Sequence, residues 1–326
     1  MNLRTFSRSL LTAVLSASAA SAAWERLAPL PVPNGGFVAG ASGGRIVALG
    51  GVTWRGDEKI WLDGIWSFEP GRNAWTAAGK LPAPQAYATV GTDGTTLWFA
   101  GGSSGSATHR QLWRVAPGQP PQVVATIEPS LVYAAGGVIG DTLYAVGGTD
   151  DQAALERISS RFLGISLRTG AARRLADYPK ASLTTATAAV AGGRLHVFGG
   201  ARWDATRKTV VNHASAHAYT AGTDRWERLP PLPHPGRGYC AVALDERHIL
   251  VAGGYRNDEV EFVTDAYVYD VERRTFTPTT PLPYAAMVSL VRSGEWLYCL
   301  GGEDRKRHRT DAVFRIRWAS LLPRAR

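Results

Sequence analysis

The sequence predicts an all-β chain folded as a six-bladed β-propeller, and three observations predict it. Six short apolar runs each end in a glycine pair, at residues 45–51, 96–102, 142–148, 194–200, 248–254 and 296–302. The second glycines of those pairs stand 46 to 54 residues apart, and self-similarity at one period of that size marks a repeat architecture. Near the N-terminus, the stretch 24–31 (WERLAPLP) almost copies 226–233 (WERLPPLP), as if one strand of a repeat had been moved to the other end of the chain.

Each repeat reads in the same order. The run before the glycine pair is short and rich in β-branched and aromatic residues, which suits a strand rather than a helix. The pair has no Cβ, so the chain can take positive φ and pack close to a neighbour. A polar loop then leads to a second apolar run, at 65–68, 112–115, 162–165, 216–219, 267–269 and 313–316. Turn residues such as Pro70, Gly71 and Asn73 follow, and Trp75, Trp226 and Phe276 open outer strands. Two repeats lack this outer aromatic, around Val124 and Leu175. The last repeat stops after its third strand. Residues 24–31 are expected to supply its outer strand, which closes the ring and removes unpaired sheet edges. The expected division is a secretory signal over 1–23 and one propeller domain over 24–326. A strand ending in Gly-Gly at a period of about 50 resembles the kelch repeat, in which each copy is one four-stranded blade.

Residues 1–23 start with Arg4 and Arg8, continue with a short apolar segment at 10–15 and end near Ala20-Ser21-Ala22, a small-residue cleavage pattern. The apolar segment is too short to span a bilayer comfortably. The mature protein is therefore expected to be exported, periplasmic or secreted, with no membrane association after signal removal. The chain has a formal net charge of +9, and losing a signal with two arginines and no acid leaves +7. A basic exported protein points to acidic glycans or small anions as partners rather than nucleic acid. Cys240 and Cys299 fall on predicted strands of adjacent repeats. They read as small buried thiols, although export permits a disulfide. No Cys/His spacing of the zinc type is present, and no metal or other cofactor is expected.

In a four-stranded meander, the loop after each glycine pair and the junction into the next blade emerge on one face. That face is expected to gather Trp54, Arg55, Gln85, Tyr87, Arg202, Arg237 and Arg256 as candidate substrate-binding residues, beside Tyr133, Asn212 and Tyr255. Aromatic faces stack on sugar rings, and guanidinium groups grip carboxylates bidentately. Packing of the loops themselves is the other reading of the same residues.

The last repeat is more specific. Gly302-Glu303, five intervening residues and then Arg309-Thr310-Asp311-Ala312-Val313-Phe314 closely resemble the N-acetylneuraminate (sialic acid) mutarotase family of exported six-bladed kelch propellers. Gly35-Gly36-Phe37 resembles that family's Gly-Gly-Phe-Ala-Gly segment. The resemblance implies a catalytic pair, Glu303 and Arg309, and a small sugar acid or related carbohydrate as substrate. It also implies a cyclic permutation, since the Glu/Arg blade comes last here, and Gln85 stands where that family often has Arg. Mutarotation would use the carboxylate as a proton shuttle and the guanidinium to hold negative charge. The alternative is a non-catalytic propeller that binds glycan or protein. A copper radical oxidase would need converging Cys, Tyr and His ligands, and a sialidase would need Ser-x-Asp-x-Gly-x-x-Trp repeats. The sequence offers neither set.

Overall fold

In the computed structural model, which describes residues 23–323, the six predicted repeats form six four-stranded antiparallel sheets. Blade 1 comprises Val38–Ser42, Arg45–Leu49, Gly64–Glu69 and Ala74–Lys80. Blade 2 comprises Thr89–Thr92, Leu97–Ala100, Gln111–Val115 and Gln122–Thr126. Blade 3 comprises Ala135–Ile139, Thr142–Val146, Phe162–Ser166 and Ala172–Arg174. Blade 4 comprises Thr187–Ala191, Arg194–Phe198, Ala216–Thr220 and Arg225–Leu229. Blade 5 comprises Cys240–Ala243, His248–Ala252, Ala266–Asp270 and Thr275–Pro278. Blade 6 comprises Met287–Ser293, Trp296–Glu303, Val313–Arg317 and, as its outer strand, Glu25–Arg26. The proposed signal lies almost wholly outside the described residues. No helix among the described residues is long and apolar enough to cross a membrane.

The first strands of successive blades neighbour one another around the ring, and those of blades 6 and 1 meet. Strand two of every blade faces strand three through one recurring apolar pair. These pairs are Ile46 with Phe68, Leu97 with Val115, Leu143 with Ile165, Leu195 with Tyr219, Ile249 with Tyr269 and Leu297 with Ile316. All twelve side chains are buried. Full burial of one such side chain contributes roughly 1.5–3 kcal/mol, so the repeated pair is a major source of stability. The core is not central. It lies as wedges between adjacent blades, for example Phe68 of blade 1 against Tyr298 and Leu300 of blade 6.

The outer tryptophans have a second role. Trp226 of blade 4 donates its indole N–H to the Ala176 carbonyl of blade 3 (2.7 Å), while Asp224 in the preceding turn accepts the Ala176 amide (3.1 Å). Trp75 and Asn73 of blade 1 grip Ala28 in the same way, at 3.1 and 2.8 Å. A tryptophan two residues after a turn Asx therefore clamps both polar groups of one residue on the preceding blade. Trp24 donates to the Pro281 carbonyl of blade 5 (2.8 Å). The expected ring closure is present: Glu25 pairs with Arg315 in register and by a bidentate ion pair at 2.7 and 3.0 Å.

Two of the loops expected to be irregular are hairpins. Val52–Arg55 pairs with Glu58–Trp61, and Ala201–Asp204 pairs with Thr209–Asn212. Both sequences alternate side chains about a short polar turn, which is hairpin behaviour. Cys240 and Cys299 are free thiols. Burial pushes the Cys240 thiol up to about 11.

Candidate functional site

Where the chain enters the first strand of blades 1 to 5, one residue adopts a left-handed conformation. These residues are Gly36 (φ 65°), Tyr87 (61°), Tyr133 (61°), Thr185 (48°) and Gly238 (64°). Each amide donates to the carbonyl of its predecessor: Tyr87 to Gly36 (2.8 Å), Tyr133 to Tyr87 (3.1 Å), Thr185 to Tyr133 (3.2 Å) and Gly238 to Thr185 (2.8 Å). Tyrosine and above all threonine are costly at positive φ, so this collar of linked amides is imposed by the ring. Blade 6 departs from it. Met287 holds the equivalent place, the strand bulges between Met287 and Ser289, and Met287 lies opposite Glu303.

Glu303 ends the strand Trp296–Glu303. Its carboxylate meets Arg309 across the intervening loop, with Arg309 Nη1 3.2 Å from Glu303 Oε1. The Arg309 side chain is 5% exposed and that of Glu303 28%, so the guanidinium is the buried partner and the carboxylate the presented one. Arg309 Nη1 also donates to the His308 carbonyl (2.8 Å), and its Nε is buried without a hydrogen-bond partner. The loop between them is braced. Asp304 pairs with His308 at 2.5 Å, and Arg307 reaches Asp57 on the blade 1 hairpin at 2.6 Å. Arg307 also lies 5.9 Å from the ring centre of Trp54.

Tyr133 on blade 3 lies within electrostatic reach of the pair. Burial raises its hydroxyl pKa above the ordinary phenol value, Tyr87 and the Glu303 carboxylate add to the rise, and Arg309 opposes it. The Arg309 side chain lies against Gly35, next to the collar residue Gly36 on which Tyr87 packs, so the pair stands beside the collar. Tyr87 packs on Tyr133 with centroids 4.7 Å apart, and Trp61 meets Tyr87 edge-on at 5.8 Å.

The other candidates divide by position. Trp54 stands beside the Glu303–Arg309 loop through Arg307, and Tyr87 belongs to the collar beside Tyr133. Arg237 bonds Asn212 (2.9 Å) and lies over Tyr255 (4.5 Å), while Arg256 is paired with Asp265. These form a cluster between blades 4 and 5. Arg55 is exposed at the tip of its hairpin, and Arg202 is exposed with Asp204 at 3.9 Å. Gln85 requires a correction. It is 3% exposed, and its amide donates to the Gly101 carbonyl at 2.5 Å, so it fastens blade 1 to blade 2 instead of facing a ligand. Sequence reasoning also passed over Lys59 and Trp61. Their signal was the alternation of side chains in 58–61, which puts both on one face of a strand.

The Kelch motif family matches residues 236–283. The chain is 29% identical over 113 residues to Spermatocyte protein spe-26 of Caenorhabditis elegans, covering 34% of this chain and 19% of that protein. It is 30% identical over 100 residues to Beta-scruin of Limulus polyphemus, covering 28% and 11%. It is 24% identical over 194 residues to N-acetylneuraminate epimerase 1 of Escherichia coli O6:H1, covering 46% and 51%. The chain thus spans about half or less of the length of each of these relatives. With six four-stranded blades in a closed ring, the protein is a six-bladed β-propeller that carries a Kelch motif over residues 236–283.

Proposed function

We propose that this propeller is an isomerase of the sugar mutarotase type, acting on a sialic acid or a related sugar acid without a cofactor. The observation that carries this reading is the partly exposed Glu303 carboxylate held by the buried Arg309 guanidinium. The resemblance of the Gly302–Phe314 frame to the mutarotase family supports it, as does partial similarity to a protein named an N-acetylneuraminate epimerase. Relative to that family, the blades are proposed to be cyclically permuted. Export of the mature chain, with a small carbohydrate as partner and no nucleic acid, belongs to the same proposal.

The chemistry needs little else. The Glu303 carboxylate takes the proton of the anomeric hydroxyl. The bond from the anomeric carbon to the ring oxygen breaks as the carbonyl forms, and Glu303 returns its proton to the ring oxygen, which restores the carboxylate. Rotation of the carbonyl group followed by the reverse steps closes the ring on the other face, with no net change in atoms or electrons. A positioned acid–base group typically contributes about 10²–10⁴-fold. Arg309 keeps the Glu303 carboxylate aimed between turnovers.

Anomer exchange measured by NMR tests the reading. The wild-type protein is expected to speed exchange of N-acetylneuraminate over buffer, and Glu303→Gln to lose about 10²-fold or more of that rate. If wild type matches buffer on sugar acids and hexoses alike, the protein is a binding module instead.

A further inference from the structure

Mutarotation requires a substrate held by something other than the acid–base pair. Arg309 is committed: Nη1 contacts Glu303 and the His308 carbonyl, and Nε lies against Gly35. Arg256 is paired with Asp265, and Arg237 is bonded to Asn212. Arg307 is paired with Asp57. These cations are already occupied by protein groups.

Lys59 differs. Its ammonium lies 4.4 Å from the ring centre of Trp61 and 4.8 Å from that of Tyr87. Among the described residues it takes part in no ion pair within 4.0 Å. Aromatic faces hold a cation in place but do not neutralise it. The site is also continuous with Glu303. Tyr87 packs on Tyr133, whose hydroxyl senses the Glu303 carboxylate, and the hairpin carrying Lys59 is joined to the Glu303–Arg309 loop through Asp57 and Arg307. Trp61 is seated against Gly105 of blade 2, where a Cβ would lie 2.6 Å from its Nε1. That seating fixes the platform on which the ammonium rests.

We propose that Lys59, presented over the rings of Trp61 and Tyr87, recognises the substrate carboxylate and so selects sugar acids over neutral sugars. This inference rests on the mutarotase reading for the identity of the reaction, and it adds the specificity residue. The rings offer the sugar an apolar wall while the ammonium supplies the charge complement.

The test compares N-acetylneuraminate with its methyl ester, which keeps the ring and removes the charge. Binding is measured by calorimetry or saturation-transfer NMR, and anomer exchange by NMR, for wild type, Lys59→Met and Lys59→Arg. Wild type is expected to prefer the acid by about tenfold or more, the size of one charge-assisted contact. Lys59→Met is expected to abolish that preference and Lys59→Arg to retain most of it. A wild type without the preference, or a Lys59→Met protein that keeps it, overturns the inference even if exchange is catalysed. A Lys59-dependent preference without catalysed exchange overturns the mutarotase reading and leaves the recognition site standing. No binding of either compound overturns both.

Discussion

Gly35 makes room for Arg309: a Cβ at residue 35 would lie 2.6 Å from both Cδ and Nε of the arginine. The backbone at Gly35 is outside the left-handed region, so the side-chain collision alone forbids a larger residue. Gly35→Ala is expected to displace the guanidinium and with it Glu303. Anomer exchange should fall by about 10²-fold, the cost of misplacing a reacting group by about 1 Å. Thermal unfolding should register overpacking of about 1–3 kcal/mol. An unchanged exchange rate would show that the position of Arg309 does not matter to the reaction.

The closing segment should be energetically decisive through its apolar residues and not its ion pair. Leu27 and Leu30 are buried in the wedge between blades 6 and 1, so Leu30→Ala is expected to cost about 2–5 kcal/mol in urea titration. Glu25 is half exposed. Glu25→Ala is expected to cost no more than about 1 kcal/mol.

The tryptophan clamp can be tested by removing the donor while keeping an aromatic ring against the core between blades 3 and 4. Trp226→Phe keeps a ring but removes the donor to the Ala176 carbonyl. The expected loss is about 1–2 kcal/mol by chemical denaturation. Trp113, whose indole nitrogen is buried without a partner, serves as the comparison, since Trp113→Phe removes no such bond.

Stability should fall in mild acid. Burial holds His196, His213 and His217 down to about 4, with nearby positive charge from Arg194 or Lys180 acting in the same direction. Their unfolded-state values are about 6.5. The folded protein therefore binds fewer protons than the unfolded chain between those limits. Stability is complete above about pH 6.5, declines as pH falls towards 4, and levels off below it. Each histidine contributes at most about 3 kcal/mol. Melting temperatures measured from pH 7.5 to 4 should show the decline, and His217→Gln should make it shallower. A flat profile would show that these imidazoles take up protons in place.

Much of the architecture was legible because one pattern is written six times. The strand ending in Gly-Gly fixed the position of every second strand, and the copied WERL segment fixed the ring closure. Blades 2 and 3 form outer strands without the aromatic, at Gln122–Thr126 and Ala172–Arg174, because pairing with the third strand suffices. The neighbourhood of Glu303 and Arg309 was legible from a local frame. Gln85 misled because polarity suggests a ligand, whereas its burial is set by two blades meeting. Lys59 was passed over because its segment was read only as a polar loop. The left-handed Tyr87, Tyr133 and Thr185 could not be read at all, since local preference argues against that conformation and only the assembled collar enforces it.

The Glu25–Arg315 pairing has a temporal consequence. The two partners are 290 positions apart, so the earliest strand of the ring must wait for the latest, whose other edge already pairs with Trp296–Glu303. Such distant pairing is slow to form. The blade that presents Glu303 is thus expected to be completed last, after the other five. Pulsed hydrogen exchange should find the Val313–Arg317 amides the final ones to gain protection. A polypeptide halted short of that strand would carry the carboxylate, if at all, on an unfinished sheet.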